Sequence, residues 1–327
     1  MHELLKKAAL VTVAAITAAA ALTGCTSEPK TVTIATHDSF VISAQQIKEF
    51  KKQTGLTIKV VHLGDAGALT NKLVLTQATP VADAFFGIDN TFSNAALEGN
   101  VVVDDSSGLT PIDFGDVCFN YDRYYFEAHQ LTAPADFTEL VKPEYQNLTV
   151  IENPASSSTG LAFLATTVAQ FGTGYQTYWR QFKTNGVKID ASWEDAYYVD
   201  FSGSSGKGAY PIVLSYSTSP ADEVRDDGQS QTASMNSKCF RQTEYAGVLA
   251  NAKNPGNAKK LVEYLRSSSF QKSIAESMYM YPSALYPKGV PASWAKFGTS
   301  ATTTIGDKLN FATGRQSWIE TFIKVFG

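Results

Sequence analysis

The sequence predicts an α/β protein of two lobes, in which mixed sheets are flanked by helices. Strand and helix patterns alternate from residue 31 onward, which is typical of mostly parallel strands covered on both faces. About 300 residues follow an N-terminal leader, and this length favours two domains at roughly 100–200 residues each. A hydrophobic content of 44% with 18% charged residues is ordinary for a packed globular protein.

The first 24 residues are predicted to be an export signal. Lys6 and Lys7 precede the apolar run "AALVTVAAITAAAAL", and small residues follow in "LTGC". The run is alanine-rich and shorter than the roughly 20 strongly apolar residues of a membrane span. "LTGC" is also similar to a bacterial lipobox, in which Cys25 carries the lipid and residues 25–30 form a tether. The alternative is an ordinary signal peptide with a chance cysteine. A lipid on Cys25 would hold the protein to the outer face of the cytoplasmic membrane, in the periplasm or cell-wall space.

The elements follow in a regular order. "TVTIAT", "TIKVVHL" and "VADAFFGI" are predicted strands, separated by the helical patterns "SAQQIKEFKKQTG" and "AGALTNKLVLTQA". "DFGDVCFNYD" is an alternating strand, and three βα units are predicted in "NLTVIENPASSSTGLAFLATTVAQFG", "VKIDASWEDAYYVDF" and "YPIVLSYSTSPADEV". A strand in "SKCFRQTEYAGVLANAK" and a helical stretch in "NPGNAKKLVEYLRSSSFQKSIAES" follow. Ligands of such sheets bind beyond the carboxyl ends of the strands. Residues 37–40, 64–67 and 87–90 follow predicted strands and are therefore candidate ligand-binding segments.

Two cysteines remain after the leader, Cys118 and Cys239. An even pair in an exported protein favours a disulfide, and two buried free thiols are the alternative. The block between them has its own βα units, so the chain is expected to leave one lobe, build the second and return. The predicted boundaries are 31–115 with 243–282 for lobe one, 116–242 for lobe two, and 283–327 for a C-terminal segment that packs across both lobes.

Several functional classes are disfavoured by composition and motifs. A net charge of −4 without a basic run argues against a nucleic-acid partner. The sequence has no HExxH, no G-x-S-x-G and no glycine-rich phosphate loop, and no cysteine or histidine spacing indicates a metal. We therefore predict no catalysis, no cofactor and no metal.

Polar and aromatic side chains recur where the predicted strands end. Asp38, Asp65 and Asp89 lie at three strand exits of the first lobe. The second lobe offers "SSST" at a helix start, which suits either an anion or simple capping, and Trp193 and Tyr216. A ligand with a positive charge and a flat ring, with or without a phosphate, would match both sides.

The strings "ATHDSF", "ADAFFGIDN", "NPASSSTGL", "SWEDAYY", "VLSYSTSPA", "MYMYP" and "RQSWIETF" occur in an order that resembles the bacterial thiamine-binding proteins of ABC importers. The resemblance runs from about residue 31 to residue 325. It implies a two-lobed periplasmic-binding-protein fold (type II-like) whose cleft closes on thiamine or its phosphates. It also implies delivery to an ABC permease and no catalysis, and we expect a monomer.

The resemblance suggests roles for individual residues. Tyr216 and Tyr279 would contact the ligand rings, and Ser156, Ser157 and Trp193 would face the hydroxyethyl or phosphate end. The expected ligand-binding set is His37, Asp38, Ser39, Asp65, Asp89, Asn90, Ser156, Ser157, Trp193, Tyr216, Ser217, Asp222, Tyr279 and Tyr281. His37 stands where the family often has a tyrosine, Tyr279 where relatives carry a tryptophan, and Asp222 where some relatives place an aromatic residue.

Two alternatives remain open. A binding protein of similar architecture for iron(III) or an oxyanion is the closer one, because Tyr279 and Tyr281 are residue types that bind iron. A secreted hydrolase is the other, although a nucleophile and base set is missing from the sequence.

Overall fold

The computed structural model describes residues 30–103, 108–204 and 208–327. The predicted signal peptide, Cys25 and most of the tether lie outside these residues. The strands are β1 Thr31–Thr36, β2 Thr57–His62, β3 Ala84–Asp89, β4 Thr110–Asp122, β5 Thr149–Glu152, β6 Lys188–Asp190, β7 Ile212–Tyr216, β8 Thr232–Ser234, β9 Phe240–Val248 and β10 Tyr281–Pro282. The α-helices are α1 Ala44–Thr54, α2 Ala66–Leu75, α3 Ser93–Glu98, α4 Arg123–Ala128, α5 Ser158–Phe171, α6 Tyr175–Thr184, α7 Pro255–Leu265, α8 Ser268–Gln271, α9 Ile274–Met278, α10 Trp294–Phe297 and α11 Phe311–Phe326.

The strands form one continuous ten-stranded sheet with the order β2-β1-β3-β9-β4-β7-β5-β6. The first half-sheet (β2, β1, β3) and the second half-sheet (β7, β5, β6) are each parallel, as predicted. The antiparallel pair of β4 and β9 joins them, and β8 and β10 also pair with β4. The α/β class is confirmed. The mixed strands belong to one continuous sheet, because β4 pairs first with β9 and then with β7 along its 13 residues.

Local sequence signals account for the ends of α1. The Ser43 hydroxyl accepts the backbone N–H of Gln46, and the Gln46 side chain accepts the N–H of Ser43. This reciprocal cap satisfies two donors that a helix start leaves unpaired. Gly55 ends the helix in the left-handed region at φ 76°, where glycine carries no steric penalty.

Two predicted helical segments take other forms. After β7 the chain makes only a short 3₁₀ turn, Ser219–Ala221, which contains Pro220. After β6 it makes a π-helical turn, Asp195–Asp200, in place of an α-helix. The π form has a wider turn and is common near functional sites.

The C-terminal helix α11 contacts α6, which lies between β5 and β6, and the segment between β3 and α3. Phe322 packs edge-on against Trp179 of α6 with ring centroids 5.0 Å apart. The Arg315 guanidinium lies over the Phe92 ring, just before α3, at 5.6 Å. These contacts support the proposal that residues 283–327 pack across the lobes, while the lobe boundaries stay a prediction. Within the described residues, no helix has the length and apolar character needed to cross a bilayer.

Cys118 and Cys239 form the predicted disulfide. Their Cα atoms are 4.8 Å apart, and the bridge lies directly beside the last β4–β9 pair, Val117 with Phe240. It joins segments that are 121 residues apart in the chain.

Removal of the bridge should destabilise the protein. We expect the double variant Cys118→Ser with Cys239→Ser to lose about 2–5 kcal/mol of unfolding free energy, because the unfolded chain regains the freedom of a long loop. Guanidinium denaturation measures the change. Dithiothreitol should shift the wild type in the same direction and leave the variant unaffected. An unchanged midpoint in the variant would contradict this role.

Candidate functional site

A cavity of about 120 Å³ opens where strands of both half-sheets end. It contains seven of the residues that the sequence predicted: His37, Asp38, Ser39, Asp65, Trp193, Tyr216 and Tyr279. The other lining residues are Val41, Ser158, Thr159, Glu194, Tyr198, Glu244, Ser277, Met278 and Met280. The rule that ligand sites lie beyond the carboxyl ends of parallel strands therefore located much of this cavity.

His37 enters the cavity directly after β1 and packs over Gly87 of β3. Gly87 has φ 99°, and a Cβ atom there would lie 2.0 Å from His37 Cδ2. Only glycine allows both the backbone conformation and the close approach of the imidazole. The next residue, Asp38, accepts the backbone N–H of Gly64 at 3.1 Å, which ties the loop after β1 to the loop after β2.

Three acidic residues form a row on neighbouring strands, and of the three only Glu244 lines the cavity. Glu244 of β9 lies directly opposite Asp89 of β3 on one side and Asp113 of β4 on the other. Directly paired residues point to the same face of a sheet, so the three carboxyl groups are neighbours. All three are buried, and His37 Nε2 lies 3.4 Å from Glu244 Oε1. We call Asp89, Glu244 and Asp113 the acidic row.

Burial and mutual repulsion separate the protonation states of this row. Burial raises the pKa of Asp89 to about 7, and burial together with Glu244 holds the pKa of Asp113 well above its usual range. Burial alone would raise the pKa of Glu244, but the adjacent His37 lowers it overall. Burial likewise opposes the charge on His37, whose pKa is nevertheless raised by Glu244, Asp65 and Asp38. Glu244 and His37 therefore form a buried ion pair, whereas the neighbouring Asp89 and Asp113 favour their neutral forms.

Asp65 connects the first half-sheet to the loops of the second. It precedes α2 and accepts the N–H of Ala66 at 2.6 Å with one oxygen and the N–H of Trp193 at 2.9 Å with the other. Beside it, the Ser156 carbonyl accepts the N–H groups of Gly67 and Ala68 at 2.9 and 3.1 Å. A Cβ on Gly67 would lie 2.7 Å from that carbonyl oxygen, so glycine permits the contact.

Aromatic rings form another part of the cavity lining. Trp193 stacks on Tyr197 with centroids 4.9 Å apart and an interplanar angle of 15°. Tyr216 and Tyr279 lie 6.2 and 6.3 Å from Trp193, at tilted angles. Tyr198, from the π-helical turn, packs edge-on against Trp193. We call Trp193, Tyr198, Tyr216 and Tyr279 the aromatic wall.

The hydroxyl groups of "LSYSTSP" hold this wall in place. Ser215 accepts the Trp193 indole N–H at 2.9 Å and is itself bonded to Ser219. The Thr218 hydroxyl donates to the carbonyl of Tyr279. The Ser217 hydroxyl is buried without a hydrogen-bond partner among the described residues and does not line the cavity. The serine and threonine hydroxyls of this stretch therefore do not line the site, whereas Tyr216 between them does.

Tyr279 is held by side chains as well as by its backbone. Its hydroxyl donates to Asp222 at 2.7 Å and accepts from Tyr198 at 3.2 Å. Burial, with these two partners, raises its pKa. Asp222 thus contacts a residue of the wall and does not line the cavity itself.

The remaining predicted residues lie outside the cavity. Asn90 bonds to Arg241 and Thr243 of β9, and Ser156 donates its hydroxyl to the Ala191 carbonyl. Tyr281 is buried in another cluster and donates to the carbonyl of Gly298 at 2.5 Å. A spacing of two residues would place Tyr279 and Tyr281 on one face of an extended segment, but φ 58° at Tyr279 turns the chain between them. The residues that do not line the cavity are Asp89, Asn90, Ser156, Ser157, Ser217, Asp222 and Tyr281.

Glu244 is the main residue that the sequence did not single out. It lies in the middle of β9 and not at a strand exit, where the sequence patterns indicated ligand-binding residues. The signal was present in "FRQTEYAGV", where Gln242 and Glu244 occupy alternate positions on a strand that is otherwise largely buried. A polar pair on the inner face of a strand indicates a buried network or a site. Within the described residues, no group of three or more histidine, cysteine or acidic side chains is arranged to hold a metal ion.

The two-lobed fold and the cleft with its aromatic wall are those of a protein that captures a small solute. Residues 87–297 match the bacterial extracellular solute-binding proteins, and the chain belongs to that family.

Individual relatives agree with this assignment. The thiamine-binding periplasmic protein of Escherichia coli strain K12 is 27% identical over 308 residues, which cover 88% of this chain and 91% of the relative. A solved periplasmic thiamin binding protein superposes with a TM-score of 0.77 at 24% identity, covering 91% of this chain and 96% of that one. Iron-bound HitA from Pseudomonas aeruginosa gives a TM-score of 0.68 at 16% identity, covering 91% and 99%. The expected periplasmic-binding-protein fold is confirmed.

The raised pKa of Asp89 makes stability depend on pH. The native state keeps a proton that the unfolded carboxyl releases, so this group costs stability as pH rises from about 4 through about 7. Asp89→Asn cannot titrate. We expect its unfolding free energy, relative to the wild type, to rise by about 2–3 kcal/mol between pH 5 and pH 8 in urea denaturation.

Asn90→Ala is the control for this prediction. It removes neighbouring hydrogen bonds but no titrating group, so its difference from the wild type should be similar at both pH values. A difference between Asp89→Asn and the wild type that does not change with pH would show that Asp89 is not protonated in the native state.

Proposed function

We propose that this chain captures thiamine in the cleft between its lobes and delivers it to an ABC permease. The observation that carries the proposal is one cavity lined both by the aromatic wall and by the acidic side chains Asp38, Asp65 and Glu244, the last of them paired with His37. Thiamine has a permanently cationic thiazolium ring and a flat aminopyrimidine ring. Aromatic faces attract such a cation, and carboxylates accept hydrogen bonds from the amine. The names of the relatives support the same ligand.

We also propose that the protein is exported and held at the membrane by a lipid. An export signal over residues 1–24 and a lipid on Cys25 would keep the protein at the outer face of the cytoplasmic membrane, beside its permease. The lobes would comprise residues 31–115 with 243–282 and residues 116–242. A binding role without catalysis agrees with the family, and a monomer suffices because the cavity is built from a single chain.

Iron(III) is the competing ligand, and the geometry favours it less. Tyr279 and Tyr281 are the two tyrosines that suggested iron binding. Their hydroxyl groups do not meet at one site, because Tyr279 donates to Asp222 and Tyr281 donates to the Gly298 carbonyl. Of these two tyrosines, Tyr279 lines the cavity and Tyr281 does not.

Ligand-free mature protein should bind thiamine. The rings of the aromatic wall lie close enough to the cavity for binding to change the intrinsic tryptophan fluorescence. We expect a saturable change, and heat in isothermal calorimetry, at micromolar thiamine. Ferric citrate should give neither. Absence of both signals with thiamine at tens of micromolar would overturn the proposal, and a coloured complex with iron would favour the competitor.

Tyr216→Ala should weaken thiamine binding. The half-buried ring lines the cavity, and its loss removes aromatic contact worth at least about 1 kcal/mol, or roughly fivefold in Kd. Tyr124→Ala is the matched control, because its ring packs against Arg225 away from the cavity. Calorimetry of both variants measures the change. An unchanged Kd in Tyr216→Ala would leave Tyr216 a purely structural residue.

A further inference from the structure

Among the described residues that line the cavity, His37 is the one basic side chain. The acidic side chains of the lining are Asp38, Asp65, Glu194 and Glu244. Only 8% of His37 and 4% of Glu244 are exposed, so water screens the charges of these two groups weakly. In a cavity of about 120 Å³, a bound cation would lie close to the imidazole.

The ion pair between His37 and Glu244 is within reach of a ligand. Nε2 of His37 lies 3.4 Å from Oε1 of Glu244, and both side chains line the cavity. Nε2 makes no aligned hydrogen bond within the described residues, so charge rather than hydrogen-bond geometry holds the pair. A cationic ligand is attracted to the same carboxylate. The ligand and the imidazole proton therefore compete for Glu244.

Three acids favour a proton on His37 when no ligand is bound. Glu244 comes from β9, Asp65 from the start of α2, and Asp38 directly follows His37 in the chain. Burial lowers the pKa of His37, but the charges of these three acids outweigh it and the net shift is upward. The imidazole is thus charged because carboxylates surround it, and a nearby positive charge would oppose that effect.

The other titratable groups near the pair favour their neutral forms. Asp89 of β3 and Asp113 of β4 flank Glu244, and burial raises the pKa of both, with Glu244 adding to the shift at each. Burial also raises the pKa values of the phenols of the aromatic wall, which are Tyr198, Tyr216 and Tyr279. These groups do not replace the positive charge of His37.

Basic groups of the neighbouring strands make their contacts elsewhere. Arg241 is three residues before Glu244 on β9, so strand alternation places it on the opposite face, where it pairs with Asp116. His62 of β2 contacts the backbone of His37, with its Nδ1 atom 3.1 Å from the carbonyl oxygen. The positive charge that a cationic ligand meets is therefore that of the His37 imidazole.

We infer that capture of a cationic ligand expels a proton from His37, so that the affinity of the cleft for this ligand rises with pH. This inference rests on the proposed function, because thiamine carries a permanent positive charge. The proton passes from His37 to the solvent, and Glu244 then balances the charge of the ligand. By linkage, a ligand that weakens proton binding is itself weakened by the proton to the same extent. Low pH therefore favours the ligand-free protein.

Nuclear magnetic resonance of the imidazole groups tests the inference on the wild-type protein. After the predicted leader the chain contains three histidines, His37, His62 and His129, so ¹³C-labelled histidine gives three Cε1–H signals. The variants His62→Gln and His129→Gln assign two of them. We expect saturating thiamine to lower the proton affinity of His37 at least about tenfold and to leave the other two signals nearly unchanged.

The outcomes of this titration separate the two proposals. Thiamine that binds without changing the proton affinity of His37 would overturn the inference and leave the proposed function intact. Absence of thiamine binding would overturn both.

Calorimetry in Hepes and in Tris at pH 7.5 measures the released protons, because the two buffers take up a proton with different heats. We expect the wild type to release protons and to bind thiamine at least about threefold more tightly at pH 8.5 than at pH 6.5. The double variant His37→Gln with Glu244→Gln removes the ion pair without leaving one buried charge unpaired, and its proton release should fall at least about twofold.

His129→Gln is the control for the calorimetry, because this imidazole is exposed and stacks on Tyr125 away from the cavity. It should release as many protons as the wild type. Undiminished release by the double variant would show that another group supplies the proton. If the double variant binds too weakly to be measured, the titration of His37 in the wild type decides.

Discussion

The antiparallel pairing of β4 with β9 is the constraint on which the rest of this structure depends. These two strands carry the chain from one half-sheet to the other and back. Their pairing joins the two half-sheets into one sheet. Their pairing also places Asp113 beside Glu244, and β3 adds Asp89 on the other side of Glu244. One of the strands that connect the half-sheets, β9, therefore also contributes Glu244 to the cavity.

The aromatic wall is organised by bonds within the protein. Trp193 is fixed by Ser215, and Tyr279 is held by Thr218 and Asp222. These partners satisfy the polar groups of the two side chains and fix the orientation of their rings. A wall that is ordered beforehand loses less conformational entropy when a ligand binds.

Local patterns predicted the fold better than they predicted the site. The order of β1, α1, β2, α2 and β3 could be predicted because periodicity and caps are local signals. The single continuous sheet could not, because it depends on pairing between strands more than 100 residues apart. Strand exits indicated His37, Asp65 and Tyr216, but not Glu244, whose importance comes from its neighbours on β3 and β4. The spacing of two residues between Tyr279 and Tyr281 did not place both rings in the cavity, because the backbone at Tyr279 is not extended.

The position of the disulfide has a consequence for strand register. In a sheet, a slip of one residue turns every side chain of a strand to the opposite face. Such a slip of β9 would bring Arg241 toward the cavity and remove Glu244 from beside His37. Cys118 and Cys239, bonded directly beside the pair Val117 and Phe240, exclude that alternative alignment. The bridge therefore preserves the sign of the charge beneath the cleft as well as the connection between two segments of chain.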